Sequence, residues 1–196
     1  MKWNKLGNIF DPLNYPNWPF THGAVPFVGE IKGNLVKVYF TGRDAKNRSG
    51  IHWGIFDFED NFNLMDLSTS SVLELGKTGT FDEDGVMGSQ IFQIENERYL
   101  YYQGWNLANS TPFRNAIGLA RYKAETGQFE KLYEGPILDR SIYDNCFVAT
   151  PNVFELAPSV YLMYYLSCDS WDNNSGVLTH KYNIKIAESH DGINWT

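Results

Sequence analysis

Tyr101-Tyr-Gln-Gly104, an aromatic pair followed closely by a small residue, has two counterparts elsewhere in the chain. They are Tyr39-Phe-Thr-Gly42, 62 residues earlier, and Tyr164-Tyr-Leu-Ser167, 63 residues later. A Pro or Gly precedes each copy at the same spacing, at Pro26, Gly88 and Pro151. A short apolar run follows each one: Ile51–Phe56, Ala116–Ala120 and Tyr182–Ala187. Three landmarks that keep one period identify an internal repeat.

Working outward from these copies, the runs are short and rich in Val, Ile, Tyr and Phe, and turns such as Asn96-Glu97 and Thr126-Gly127 separate them. No segment places apolar residues at the three- and four-residue spacing of an amphipathic helix. The expectation is an all-β fold. A unit of about 60 residues with three to four antiparallel strands has the size of one β-propeller blade. Blades are expected over roughly 20–75, 82–134 and 144–196, within a single domain, and Ser189-His-Asp-Gly-Ile-Asn-Trp195 fits a blade-ending hairpin. Propellers close with about 4–8 blades, so about three blades read as part of a larger propeller. Open terminal edges would favour self-association.

Composition bounds the function. The chain has 196 residues, 43% hydrophobic and 20% charged, with a formal net charge of −7. Its basic residues are scattered, which argues against nucleic acid or an anionic membrane as partner. Cys146 and Cys168 lack disulfide-framework or metal-ligand spacing, so they read as thiols in a reducing compartment. The N-terminus has no apolar signal core, and no run approaches the roughly 20 apolar residues that span a bilayer. The expectation is a cytoplasmic protein without metal or cofactor.

Ligands of a propeller bind where inner strands begin. Register with Pro26, Gly88 and Pro151 makes His22, Asp84 and Phe147 equivalent, with Asp82 and Asp144 close by. The candidate catalytic set is therefore Asp84, Asp82, Asp144 and His22, expected to converge on one cleft. Paired carboxyls are what glycoside cleavage requires, one protonating the leaving oxygen while the other attacks or activates water. Close carboxylates also raise one another's pKa, as a general acid needs. Candidate substrate-binding residues are Arg43 and Arg48, which suit a carboxylate or phosphate, Trp105 as a stacking platform, Asn115, and Arg140. The bland alternatives are a solvated turn for 81–85, a core-edge histidine for His22, a charged hairpin for 43–48 and packing for Trp105.

Longer strings carry a resemblance. Thr80-Phe-Asp-Glu-Asp-Gly-Val-Met-Gly-Ser89, Tyr99-Leu-Tyr-Tyr-Gln-Gly-Trp-Asn106, Gly135-Pro-Ile-Leu-Asp-Arg-Ser141, Phe147-Val-Ala-Thr-Pro151 and Ile186-Ala-Glu-Ser-His-Asp-Gly-Ile-Asn-Trp195 are among them. Together they resemble a bacterial family of uncharacterised, glycosidase-like five-bladed β-propeller proteins. That family is related to the invertases, levansucrases and arabinanases. The resemblance implies a carbohydrate-active role, a link to surface-polysaccharide synthesis, and roughly two further blades. It also implies an Asp on the first blade, where this chain has His22, an Asp on the third, for which Asp144 is the nearest match, and a Glu on the fourth. Three readings follow: a glycoside hydrolase or glycosyl-transferring enzyme acting on a polysaccharide or activated sugar; an inactive sugar-binding or scaffold propeller; and a propeller phosphorylase that holds phosphate with His22, Arg43 and Arg48.

Overall fold

The computed structural model describes residues 2–196. They form eleven β-strands, and the one helical element among them is the short 3-10 turn Pro12–Asn14. β1 (Thr21–Lys32), β2 (Leu35–Arg43), β3 (Ser49–Asp57) and β4 (Asn63–Leu67) make a first antiparallel meander. β5 (Gly85–Ile94), β6 (Glu97–Asn106), β7 (Arg114–Lys123) and β8 (Gln128–Lys131) make a second. β9 (Phe147–Ala157), β10 (Val160–Asn174) and β11 (Val177–Ser189) make a third. A single parallel bridge, Ser49 to Gly85, joins the first two. Thr196 exchanges backbone hydrogen bonds of 2.9 and 3.0 Å with Glu188, on the outer side of β11.

The repeat seen in sequence is a repeat in space. Tyr39, Tyr101 and Tyr164 each lie on the second strand of a meander, paired with the third strand at Trp53, Leu119 and Ile186. The hairpins between first and second strands are two-residue turns at Gly33-Asn34, Glu95-Asn96 and Pro158-Ser159. Each places one residue at positive φ, namely Gly33, Glu95 and Ser159. Such tight turns fix register, so alternate side chains fall on opposite faces of each sheet.

Those faces stack. Tyr39 and Ile51 of the first meander pack with Val86, Leu100, Tyr102 and Ala120 of the second. The opposite face of the second, carrying Tyr101, Ile117 and Leu119, packs on Val148, Val153 and Met163 of the third. The inner strands are also clasped. Ser89 Oγ donates to Pro151 O at 2.7 Å, Gln90 Nε2 donates to Val153 O at 2.8 Å, and Val153 N donates to Gln90 Oε1 at 2.5 Å.

The two outermost faces differ. The outer face of the first meander is roofed by the N-terminal segment, with Phe10 4.7 Å from Phe40 and Trp18 5.8 Å from it, ring centre to ring centre. The outer face of the third is open, and Tyr164 (41% exposed), Ile184 and Ile186 stand on it.

Candidate functional site

The expected convergence of His22, Asp82, Asp84 and Asp144 on one cleft does not form. Asp82 and Asp144 are side chains of the interior, 1% and 2% exposed. Each precedes its inner strand by three residues, at Gly85 and Phe147. There the chain passes beneath the second strand of its own meander. Asp82 Oδ2 accepts from the Tyr102 hydroxyl at 2.9 Å and pairs with Lys131 Nζ at 2.6 Å, while Oδ1 accepts from Thr80 Oγ1. Asp144 Oδ1 accepts from Ser167 Oγ at 2.6 Å, from Tyr165 at 3.3 Å and from Lys185 Nζ at 3.4 Å, and Oδ2 accepts from Ser141 Oγ. Burial and the adjoining carboxylate push the Tyr165 hydroxyl up to about 12, and the same causes raise Tyr102 further. Both tyrosines thus stay protonated donors, locked onto their carboxylates.

These two clusters are one device used twice. Asp82 and Asp144 are 62 residues apart, and their tyrosines follow at 20 and 21 residues. The small residue two positions after each tyrosine meets the aspartate: a Cβ at Gly104 would lie 2.5 Å from Asp82 Cβ, and Ser167 Oγ donates to Asp144. The lysines are not equivalent, since Lys131 ends the fourth strand of the second meander and Lys185 sits on the third strand of the third.

The other candidates separate further. His22 is exposed, with φ of 69°, its Nδ1 2.7 Å from Thr21 Oγ1, and it lines a hollow with Asp11, Tyr15 and Phe20. Arg48 is engaged by Asp44, at 2.9 Å through Nε and 2.8 Å through Nη2. Arg140 is exposed and lies outside the cleft described next. His22 adjoins Thr21, which pairs with Arg43 across β1 and β2, while the Arg48 guanidinium is committed to Asp44.

A cleft does form where β2 and β6 end and β7 begins. Its volume is about 310 Å³, and Arg43, Trp105 and Asn115 line it together with Asn47, Gln103 and Phe113. The Arg43 guanidinium lies 5.4 Å from the Trp105 ring centre, within cation–π range. Its Nη1 donates to Asn47 O at 2.9 Å and Asn47 Oδ1 at 3.2 Å, across the tight β2–β3 turn where Asn47 has φ of 63°. Trp105 Nε1 donates to Ser49 Oγ at 2.6 Å, which fixes the indole. Asn115, at 6% exposed, makes no side-chain hydrogen bond among the described residues. Asp84 stands at the rim, its Oδ2 accepting from the backbone N–H of the cleft residue Leu107 at 2.8 Å. Sequence reasoning missed Asn47, Gln103 and Phe113. Only the Asn47 turn, a polar loop between two strand-like runs, left a signal there.

The other cavities suit a ligand less. One of about 360 Å³ lies beside the outer strand β8 and holds Lys131 on the already paired Asp82. A broad one of about 920 Å³ runs past Asp144 to Trp195 and opens at the outer edge of β11. In both, the carboxylate is already paired with a lysine, Asp82 with Lys131 and Asp144 with Lys185.

Comparison with known proteins places the fold. A crystal structure of a thermostable family-43 glycoside hydrolase superposes with a TM-score of 0.59 at 20% identity, over 89% of this chain and 50% of that one. The two share a propeller-like, all-β arrangement. Two Mycobacterium tuberculosis proteins, MT1551 (strain CDC 1551) and Rv1502 (strain H37Rv), both carrying the name "uncharacterized protein", are each 34% identical over 195 residues. The match takes in all of this chain, which spans 64% of the length of those relatives. No protein-family model matches the chain.

Proposed function

We propose that the chain belongs to a carbohydrate-active propeller, a glycoside hydrolase or glycosyl-transferring protein, whose sugar-contacting end is the Arg43–Trp105–Asn115 cleft. One observation carries the reading: Asn115, whose side-chain amide has no protein partner among the described residues, lines the same cleft as a fixed tryptophan. Sugars present C–H faces that pack on an aromatic ring and hydroxyls that both donate and accept, the pattern an Asn amide complements. The amide is open to the cleft and uncommitted to the protein, so it can donate to and accept from a ligand hydroxyl. The structural neighbour, a thermostable family-43 glycoside hydrolase, supports the reading. Closure into five blades is part of the proposal.

In this reading Asp84 supplies the carboxylate, because it alone among the candidates Asp82, Asp84 and Asp144 borders the cleft without being buried in an ion pair. Replacement by Asn should lower turnover of aryl glycosides or oligosaccharides by more than about 10²-fold while leaving sugar affinity in place. Unchanged turnover in Asp84→Asn would remove Asp84 from the chemistry. A second reading, sugar binding without catalysis, is favoured by the commitment of Asp82 and Asp144 to structural pairs. It predicts binding without turnover in the unaltered protein.

A further inference from the structure

Arg43 differs from the other arginines near the cleft in its charge balance. Arg48 is neutralised by Asp44, and Arg114 by Asp139. Arg43 has no carboxylate within 4.0 Å among the described residues, and its hydrogen-bond partners are both on Asn47, a neutral residue. It is nonetheless held, over the Trp105 ring at 5.4 Å and by hydrogen bonds to Asn47. Asp84, the remaining acid at the rim, is turned to the Leu107 amide. An ordered, half-buried guanidinium without a counter-charge is a poised oxyanion receptor, because its planar fork matches carboxylate and phosphate oxygens two at a time.

We infer that the cleft takes an anionic sugar, with Arg43 gripping an oxyanion on the ring substituent, a uronate carboxylate or a sugar phosphate, while Asn115 binds a neighbouring hydroxyl. This inference rests on the carbohydrate reading above and narrows it to a substrate class. Arg43 is here the specificity-determining residue. Trp105 orients it, and the second, neutral half of the sugar meets Gln103 and Asn115.

The test is calorimetric titration of the chain with matched ligands: glucose, glucuronate, glucose 1-phosphate and inorganic phosphate. The same titrations are repeated on Arg43→Gln, which keeps hydrogen-bonding capacity but removes the charge. An anionic sugar should bind at least about ten-fold more tightly than glucose, and Arg43→Gln should abolish that preference. A carboxylate-only or phosphate-only preference identifies the source of the oxyanion, and either supports the inference. Equal binding of glucose and its anionic derivatives, or a preference that survives in Arg43→Gln, overturns it and leaves the carbohydrate reading standing. Phosphate binding equal to that of glucose 1-phosphate also overturns it, since the sugar ring would then contribute nothing. Absence of binding by every sugar overturns both.

Discussion

The first meander and its two successors solve the same packing problem with opposite chemistry. In the second and third, the segment leading into the inner strand is tied down by Asp82 or Asp144, a tyrosine hydroxyl and a lysine. In the first, the corresponding positions are Phe20 and Phe40, again 20 residues apart. Carboxylate and hydroxyl are lost together, and rings replace both. Phe20 lies 4.1 Å from the His52 ring and Trp18 lies 5.3 Å from it, centre to centre. Gly42, the counterpart of Gly104 and Ser167, allows this approach, as a Cβ there would come within 2.9 Å of Trp18 and 3.0 Å of His52. The lesson is that the position requires a matched pair. A carboxylate opposite Phe40, or a phenylalanine opposite Tyr102, would strand a polar group.

The largest test of that contrast is removal of one carboxylate. Asp82→Ala leaves Lys131, with a side chain only 18% exposed, beside the Tyr102 hydroxyl and no anion. Loss of one member of a buried pair costs about 3–5 kcal/mol, readable as a lowered denaturant midpoint. Asp144→Ala should cost less, about 1–3 kcal/mol, because Lys185 is more exposed and keeps Asp169 at 3.7 Å. Equal losses at the two sites would break the assignment of the buried ion pair as the larger contributor.

A second test uses acid. His52 is fully buried, neither ring nitrogen has a hydrogen-bond partner, and desolvation lowers its pKa to about 4 against the weaker raising effect of the Ser70 backbone. The unfolded chain, titrating near 6.5, takes up the proton first. Stability therefore falls as pH drops below about 6.5, and this loss levels off near pH 4, reaching at most about 3 kcal/mol. In His52→Leu the part of the pH dependence between these limits should disappear. An unchanged slope would show that the aromatic roof of the first meander tolerates a charged imidazole.

The smallest expected effect is on the open face. Ile184→Lys alters a residue 78% exposed and should move stability by no more than about 0.5 kcal/mol. A larger loss would mean that this face is covered in solution.

The architecture was legible because it repeats. One aromatic pair, one Pro or Gly and one apolar run recur together, and the strands they mark fall in equivalent places. The buried carboxylates were legible as positions and not as roles. Asp82 and Asp144 stood near the inner-strand starts, but the residues that claim them arrive later in the chain, Tyr102 and Lys131 for one, Tyr165 and Lys185 for the other. A run of acids such as 82–84 does not disclose which carboxyl turns inward. The 20-residue pairing of Phe with Phe and Asp with Tyr was the available clue. The cleft was half legible: Arg43, Trp105 and Asn115 were named from sequence, whereas Arg48 was withdrawn by Asp44 within its own turn.

The roof over the first meander has a consequence for synthesis. Chains emerge from the ribosome at about 5–20 residues per second, so each repeat of about 60 residues takes roughly 3–12 s to appear. Phe10 and Trp18 are made before the sheet they cover, and each later meander is laid on the exposed face of the one before it. The nascent meanders are thus added in one direction, like successive courses of brick. The latest meander presents the apolar surface that carries Tyr164, Ile184 and Ile186.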